Sequence, residues 1–201
     1  MSENSPVLAG FDAGQTQCRC RLSRWTNGHL ELLGEGSGPG VSHLDAAGGP
    51  ERFRSAIGVS LRNAWKHWQE RSPQETRPWM PLTAAAIGAS GLEAGSTLQS
   101  RGGALLAAEL QLPESRCLAT GDERTALRGA FPHRAGIVLI SGTGMIVVGR
   151  DHHGREHRAG GWGWRLDGAG SAFDIGHQAL QMTVRMADGR AADGALRSMP
   201  V

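Results

Sequence analysis

The chain has 201 residues, a formal net charge of +2, 39% hydrophobic and 20% charged residues, an ordinary balance for a globular protein of one or two domains. A single lysine, Lys66, stands among 21 basic residues that form no block, which argues against a nucleic-acid surface. No apolar run approaches the roughly 20 residues of a membrane-spanning helix, and the opening MSENSPVLAG lacks the basic and apolar regions of a secretory signal, so the expected compartment is the cytoplasm.

The first element is a short apolar run, Val7 to Asp12, that ends on a carboxylate and enters a turn at Ala13-Gly14-Gln15-Thr16. Gln17 to Trp25 follows as a second strand, with Cys18 and Cys20 on one face as small structural thiols; together with Cys117 they show no CxxC or metal spacing. Asn27-Gly28 is a strong hairpin signal, and His29 to Leu33 returns as a third strand. Gly34 to Gly49, rich in Gly, Ser and Pro, reads as a long loop with Pro39 to His43 at its centre, either a linker or a binding element. Pro50 to Arg71 is a helix, with Phe53, Ile57, Leu61, Ala64, Trp65 and Trp68 on its apolar face. A proline-rich loop to Pro81 leads to a strand over Leu82 to Gly88, a helix from about Arg101 to Leu112, a strand over Ser115 to Thr120, and a short helix over Glu123 to Gly129.

The opening pattern then repeats. Ile137 to Ile140 and Met145 to Val148 read as two buried strands around a Ser141-Gly142-Thr143-Gly144 turn, followed by a turn at Asp151 to Gly154, a strand from Arg155 to Trp162, a glycine-rich link and a helix over Ser171 to Met186. Ile175, Ala179, Met182 or Thr183, and Met186 share one side of that helix. Two meanders with Gly/Thr turns suggest two similar halves facing one nucleotide, residues 1–121 and 122–201, the second incomplete. Three strands followed by alternating helices and strands define a mixed α/β sheet with covering helices.

The chemistry lies in the turns. With no Cβ at Gly142 and Gly144, backbone N–H groups can converge on a phosphate, and Ser141 and Thr143 add hydroxyls; an ordinary glycine hairpin is the competing reading. Asp12 beside the first turn suits a Mg²⁺ ligand or a turn stabiliser. Asp122 follows a strand, where a carboxylate can take a proton from a substrate hydroxyl or cap the next helix. Trp162, set among glycines, is either a buried wedge or a face for stacking on a sugar. His152, His153 and His157 fall on a hairpin without metal-ligand spacing. P-loop and dinucleotide fingerprints are absent from the sequence.

GFDAGQT at 10–16, TGDERTAL at 120–127, GIVLISGTG at 136–144, AGGWG at 159–163 and AGSAFDIGHQAL at 169–180 together resemble the BadF/BadG/BcrA/BcrD ATPase family in its N-acetylglucosamine kinase-like branch. The resemblance implies an actin/hexokinase-type, ribonuclease H-like fold whose two lobes close over ATP and Mg²⁺, with phosphoryl transfer to a sugar hydroxyl. It implies that Asp12, Gly14, Gln15 and Thr16 form the first phosphate element, with Asp12 near the metal, and that Gly142, Thr143 and Gly144 form the second. Asp122 becomes the catalytic base, while His43, Gly161, Trp162 and Asp167 approach the sugar.

Where the family usually reads Gly-Asp-Glu-Gly-Ser, this chain has Asp167-Gly168-Ala169-Gly170-Ser171, so Gly168 replaces the expected aspartate and Asp167 is its nearest substitute. Members of the family run on past this length into an adenosine-binding segment, which makes a truncated, non-catalytic sugar- or phosphate-binding relative the alternative function. The cluster cysteines of the family's dehydratase-activator branch are missing, against an iron–sulfur role. A homodimer is expected to cover apolar surface on the incomplete half.

Overall fold

The computed structural model describes residues 5–74 and 81–198, so most of the expected proline loop and the first four residues lie outside the described part. The chain divides into two compact units, Met1–Ala126 and Leu127–Val201.

In the first unit, β1 (Val7–Ala13), β2 (Gln17–Thr26) and β3 (His29–Pro39) form an antiparallel meander. Two further strands, β4 (Ala84–Ala89) and β5 (Cys117–Thr120), run parallel to β1, giving the order β3-β2-β1-β4-β5. The β2–β3 connection is the Asn27-Gly28 turn, with φ of 50° and 83°, the left-handed pair that a two-residue hairpin needs. Alternation does the rest: Cys18, Cys20 and Leu22 point into the core, while Arg19 and Arg21 point away from it.

Helices α1 (Gly49–Arg71) and α2 (Thr97–Leu110) supply the other side of the core. Phe53, Ile57, Leu61, Ala64, Trp65 and Trp68 of α1 are all buried, as their spacing requires. Trp65 and Trp68 meet edge to face with ring centroids 4.9 Å apart. Within this core, Ser60 Oγ donates to the Ala56 carbonyl at 2.7 Å and lies 3.6 Å from Cys18 Sγ, so a buried hydroxyl keeps its partner.

The expected loop from Gly34 is instead a continuation of β3 to Pro39. Glycine reads as a loop former, but here it is a spacer. A Cβ at Gly34 would collide with the Ala64 carbonyl, one at Gly36 with the backbone of Ser60 and Ala64, and one at Gly38 would lie 2.9 Å from the Ala56 carbonyl oxygen. The alternate glycines let the α1 backbone rest directly on the strand. The true loop begins at Gly40. Helix α2 also starts before the expected Arg101, because Ser96 accepts from Gln99 N at 3.2 Å and caps it, and it ends at Gln111 in the left-handed region.

The second unit holds an antiparallel sheet in the order β6-β7-β8, formed by β6 (Gly136–Ser141), β7 (Met145–Arg150) and β8 (Glu156–Gly160). The buried Arg150 guanidinium donates to the carbonyls of Phe131 and Arg134, which pins the segment entering β6. Helix α4 (Ala172–Ala187) follows. β6 is not the buried strand that its apolar run suggests: Ile137 is 71% and Leu139 65% exposed. No residue of α4 is buried either, and Ile175, Leu180 and Val184 stand open. Amphipathic periodicity identifies an apolar face without identifying what covers it.

The glycine spacers give a stability test. Gly36→Ala should destabilise the protein by about 2 kcal/mol or more, whereas Gly10→Ala, with open space around its Cβ position, should change stability by less than about 1 kcal/mol. Urea denaturation followed by tryptophan fluorescence measures both; equal effects would remove the spacer role.

Candidate active site

The parallel order of β1, β4 and β5 brings their carboxyl ends to one edge of the sheet, where open α/β sheets bind ligands. Asp12 is one residue from the end of β1, paired across the ladder with Arg19 on one side and Gly88 on the other. The Gly14-Gln15-Thr16 turn is fixed at its base, where Gly14 N donates to the Gln17 carbonyl and Gly14 O accepts from Val41 N, each at 3.0 Å. Gln15 and Thr16 remain exposed. Gly40 packs against the Gln15 carbonyl with no room for a side chain, so the loop after β3 is seated on this turn. His43 in that loop is exposed, with Nδ1 accepting from Asp45 N at 3.3 Å, and its ring borders Gly91 beyond the end of β4.

Asp122 opens α3 (Asp122–Ala130) directly after β5. It lies in the first turn, not at the cap expected from the sequence: Gly121 O receives the N–H groups of Arg124 and Thr125 at 3.2 and 3.4 Å. Thr125 packs over Gly88, whose missing side chain admits it, and Thr125 Oγ1 donates to Asp122 O at 2.7 Å. The structure thereby brings Asp12 and Asp122 to the wall of one cavity of about 820 Å³, lined as well by Arg19, Arg21, Glu35, Ser37, His67 and Thr125. The sequence reading missed the charged strand residues of this wall. Their signal was the alternation of Arg19 and Arg21 with the buried cysteines, which places both arginines on the opposite face. Burial pushes the Cys18 and Cys20 thiols up, so both are neutral and unreactive at physiological pH.

In the second unit, the Gly142-Thr143-Gly144 turn joins β6 to β7, with Gly142 N donating to the Gly144 carbonyl at 2.9 Å. A Cβ at either glycine would meet nothing within 4 Å, so the turn is an open cradle. It is tied to the start of α4, since Ser141 Oγ donates to Gly170 O at 2.8 Å and Ala172 N to Gly142 O at 2.9 Å. Ser171, fully buried, accepts from Asp174 N at 3.1 Å, and Asp174 accepts from Gly170 N at 2.9 Å, a reciprocal cap. Hydrogen bonds from Gln178 and then Gly170 hold the Asp174 carboxyl below the usual carboxylate range.

Gly161, at φ 75°, presents Trp162 to solvent at 66% exposure, with the Arg158 guanidinium 5.3 Å from its ring centroid. Trp162 is thus an open face and not a buried wedge. Asp167 is half-buried, with its N–H on the Gly163 carbonyl at 3.0 Å, and Gly168 packs against Trp164. The His152, His153 and His157 hairpin is organised by Asp151, whose carboxylate binds Arg155 Nε at 2.7 Å; no group of three metal-ligating side chains occurs among the described residues.

The five-stranded order, antiparallel on one side of β1 and parallel on the other, followed by a second three-strand meander, defines the actin/hexokinase-type class with a ribonuclease H-like lobe. The chain belongs to the BadF/BadG/BcrA/BcrD ATPase family, whose model matches residues 78–199, more than half of its length. An N-acetylmuramic acid/N-acetylglucosamine kinase of Clostridium acetobutylicum is 40% identical over 75 residues, 37% of this chain and 24% of that protein. An N-acetyl-D-glucosamine kinase of Dictyostelium discoideum is 40% identical over 53 residues, 26% of this chain and 17% of that protein. Among solved structures, a proposed N-acetylglucosamine kinase of Chromobacterium violaceum superposes with a TM-score of 0.70 at 27% identity, over 95% of this chain and 61% of that one. A proposed N-acetylglucosamine kinase of Porphyromonas gingivalis, 18% identical, shares the fold with a TM-score of 0.62 over 95% of this chain and 60% of that one. The chain therefore spans about three fifths of these solved relatives.

The reciprocal cap that anchors the second turn is testable. Ser171→Ala should cost about 1 kcal/mol of local stability at the start of α4 and speed amide exchange at Asp174. Hydrogen exchange by NMR reads this directly; unchanged protection would mean that the cap does not hold the turn.

Proposed function

We propose that this chain carries phosphate- and sugar-binding elements of an ATP-dependent kinase that phosphorylates N-acetylglucosamine or a related amino sugar. The observation that supports it most is the pair of carboxylates, Asp12 and Asp122, on one cavity at the carboxyl ends of parallel strands, in a chain whose relatives are named as kinases of these sugars. In this reading residues 1–121 and 122–201 are two lobes, each carrying a glycine turn suited to phosphate.

Asp122 accepts the proton of the attacking sugar hydroxyl as that oxygen bonds to the γ-phosphorus and the bond to the departing ADP breaks. The N–H groups of Gln15 and Thr16 and of Thr143 and Gly144 offset charge on the phosphate oxygens, on turns held by the internal bonds of Gly14 and Gly142. His43 and Asp167 hydrogen-bond sugar hydroxyls, and Gly161 lets Trp162 lie flat against the ring. The carboxylates fit Mg²⁺, which takes one or two carboxylates together with substrate phosphates; Asp12 would hold it, and bound there it would neutralise charge on the phosphates. Among the described residues no helix is long and apolar enough to cross a membrane, and ATP as donor is consistent with a cytoplasmic enzyme.

The open faces of β6 and α4 favour a second reading, a non-catalytic relative that binds sugar or phosphate, with a homodimer as one way to cover those faces. Asp122→Asn separates the two. The kinase reading expects ADP release with N-acetylglucosamine to fall by about 100-fold or more while thermal unfolding is unchanged. A variant as fast as the wild type would remove Asp122 as base, and a wild-type chain that binds sugar but releases no ADP would favour the second reading.

A further inference from the structure

Gly88 stands in the row of residues that crosses the carboxyl ends of the parallel strands. In register it pairs with Asp12 of β1 on one side and with Thr120 of β5 on the other. It is buried, and its φ does not lie in the left-handed region, so backbone conformation does not call for a glycine there. The space above it does. A Cβ at Gly88 would sit 2.3 Å from Thr125 Oγ1, 2.6 Å from its Cγ2 and 3.0 Å from its Cβ, so the side chain of Thr125 takes the place of one on the strand. Glycine inside a strand marks this kind of close approach.

The same threonine is tied to Asp122. Its Oγ1 donates to Asp122 O at 2.7 Å, and Asp122 Oδ1 accepts from Glu123 N at 3.1 Å, so the carboxylate is fixed to the first turn of α3 and that turn to Thr125. Asp12, Thr125 and Asp122 line one cavity. We propose that Thr125 is a positioning residue that sets the spacing between Asp12 and Asp122: its side chain rests on Gly88, the direct neighbour of Asp12, and its hydroxyl holds the Asp122 backbone. The inference rests on the phosphoryl-transfer reading, because the spacing acts on chemistry only through the proposed metal ligand and the proposed base.

A hydroxyl bond to the carbonyl three residues back is common for threonine in helices and by itself only selects a rotamer. Contact with Gly88 turns that rotamer into a spacer. Methyl and hydroxyl share one stiff β-branched carbon, so neither moves without the other, and the bond to Asp122 cannot drift while the side chain is seated on the strand. Reactions that depend on alignment feel such spacing, since a misplacement of about 1 Å can cost on the order of 100-fold.

Kinetics with ATP and N-acetylglucosamine read the spacing. Thr125→Val keeps the shape and loses the hydroxyl bond; it should lower kcat about tenfold and leave both KM values within about twofold. Thr125→Ser keeps the bond and should hold kcat within about threefold of wild type. Gly88→Ala pushes Thr125 and α3 off the strand and should lower kcat about 100-fold. Gly88→Ala/Thr125→Ala, which removes the two atoms nearest the new Cβ, should be at least about fivefold faster than Gly88→Ala, the reverse of two independent losses. If Gly88→Ala does not fold, the two Thr125 variants decide the matter alone. Thr125→Val at wild-type kcat, Thr125→Ser as slow as Thr125→Val, a raised KM at unchanged kcat, or losses that multiply in the double variant would overturn the proposal.

The Asp122 resonances give a readout that needs no turnover. In ¹³C-labelled protein the Asp122 carbonyl and carboxyl signals should move in Thr125→Val and stay in place in Thr125→Ser. A wild type without kinase activity in which they behave this way would defeat the phosphoryl-transfer reading and leave the link through Thr125 standing. Signals unmoved by Thr125→Val would defeat the link even in an active enzyme.

Discussion

The first unit depends on direct contact between the backbone of α1 and the backbone of β3. Gly34, Gly36 and Gly38 occupy alternate positions on one face of that strand, and each gives up the volume of a side chain to a turn of the helix. A strand of alternate glycines is weak by propensity, since each loses more conformational freedom on folding than any other residue. Here burial of Phe53, Ile57, Leu61, Trp65 and Trp68 against the sheet offsets that loss. The contact also fixes where β3 ends. The chain leaves the sheet at Gly40, against the Gln15 carbonyl, so the same packing that makes the core seats the loop of His43 on the first glycine turn.

From that point the geometry of the site follows from strand direction. The β1–β2 turn lies at the carboxyl end of β1, and the two parallel crossovers return β4 and β5 with their carboxyl ends beside it. Asp12 and Asp122 need no long-range device to meet on one cavity; each stands at the end of its strand. The second unit repeats the meander and its turn, but anchors the turn differently, through the capped start of α4. Each turn is closed at its base by an internal backbone hydrogen bond, from Gly14 N to the Gln17 carbonyl in the first and from Gly142 N to the Gly144 carbonyl in the second.

Much of this was legible in the sequence, and the places where it was not share a cause. The strand–turn–strand repeats, the Asn27-Gly28 hairpin and the apolar face of α1 are local patterns, and the backbone follows them. Gly34 to Pro39 misled because glycine carries opposite meanings in a loop and under a helix, and only the helix that follows decides which applies. Ile137, Leu139 and the apolar row of α4 look like core because hydrophobic pattern reports what a segment can bury, not what is there to bury it. The cavity wall of Arg19, Arg21 and Glu35 was hidden for the converse reason, as charged residues on a strand read as solvent-facing until a cavity is seen beside them. Asp12, Asp122 and the glycine turns stand out in the sequence by their place after strands, a rule of chain direction and not of composition, and the structure sets the two carboxylates on one cavity.

The proposed function requires each of the two glycine turns to bind nucleotide phosphate. Titrating ¹⁵N-labelled protein with Mg·ATP and following the amide resonances tests it most directly. The amides of Gly14 to Thr16 and those of Gly142 to Gly144 should both shift in a saturable way. Shifts confined to a single turn, or none at either turn in a folded protein, would contradict it.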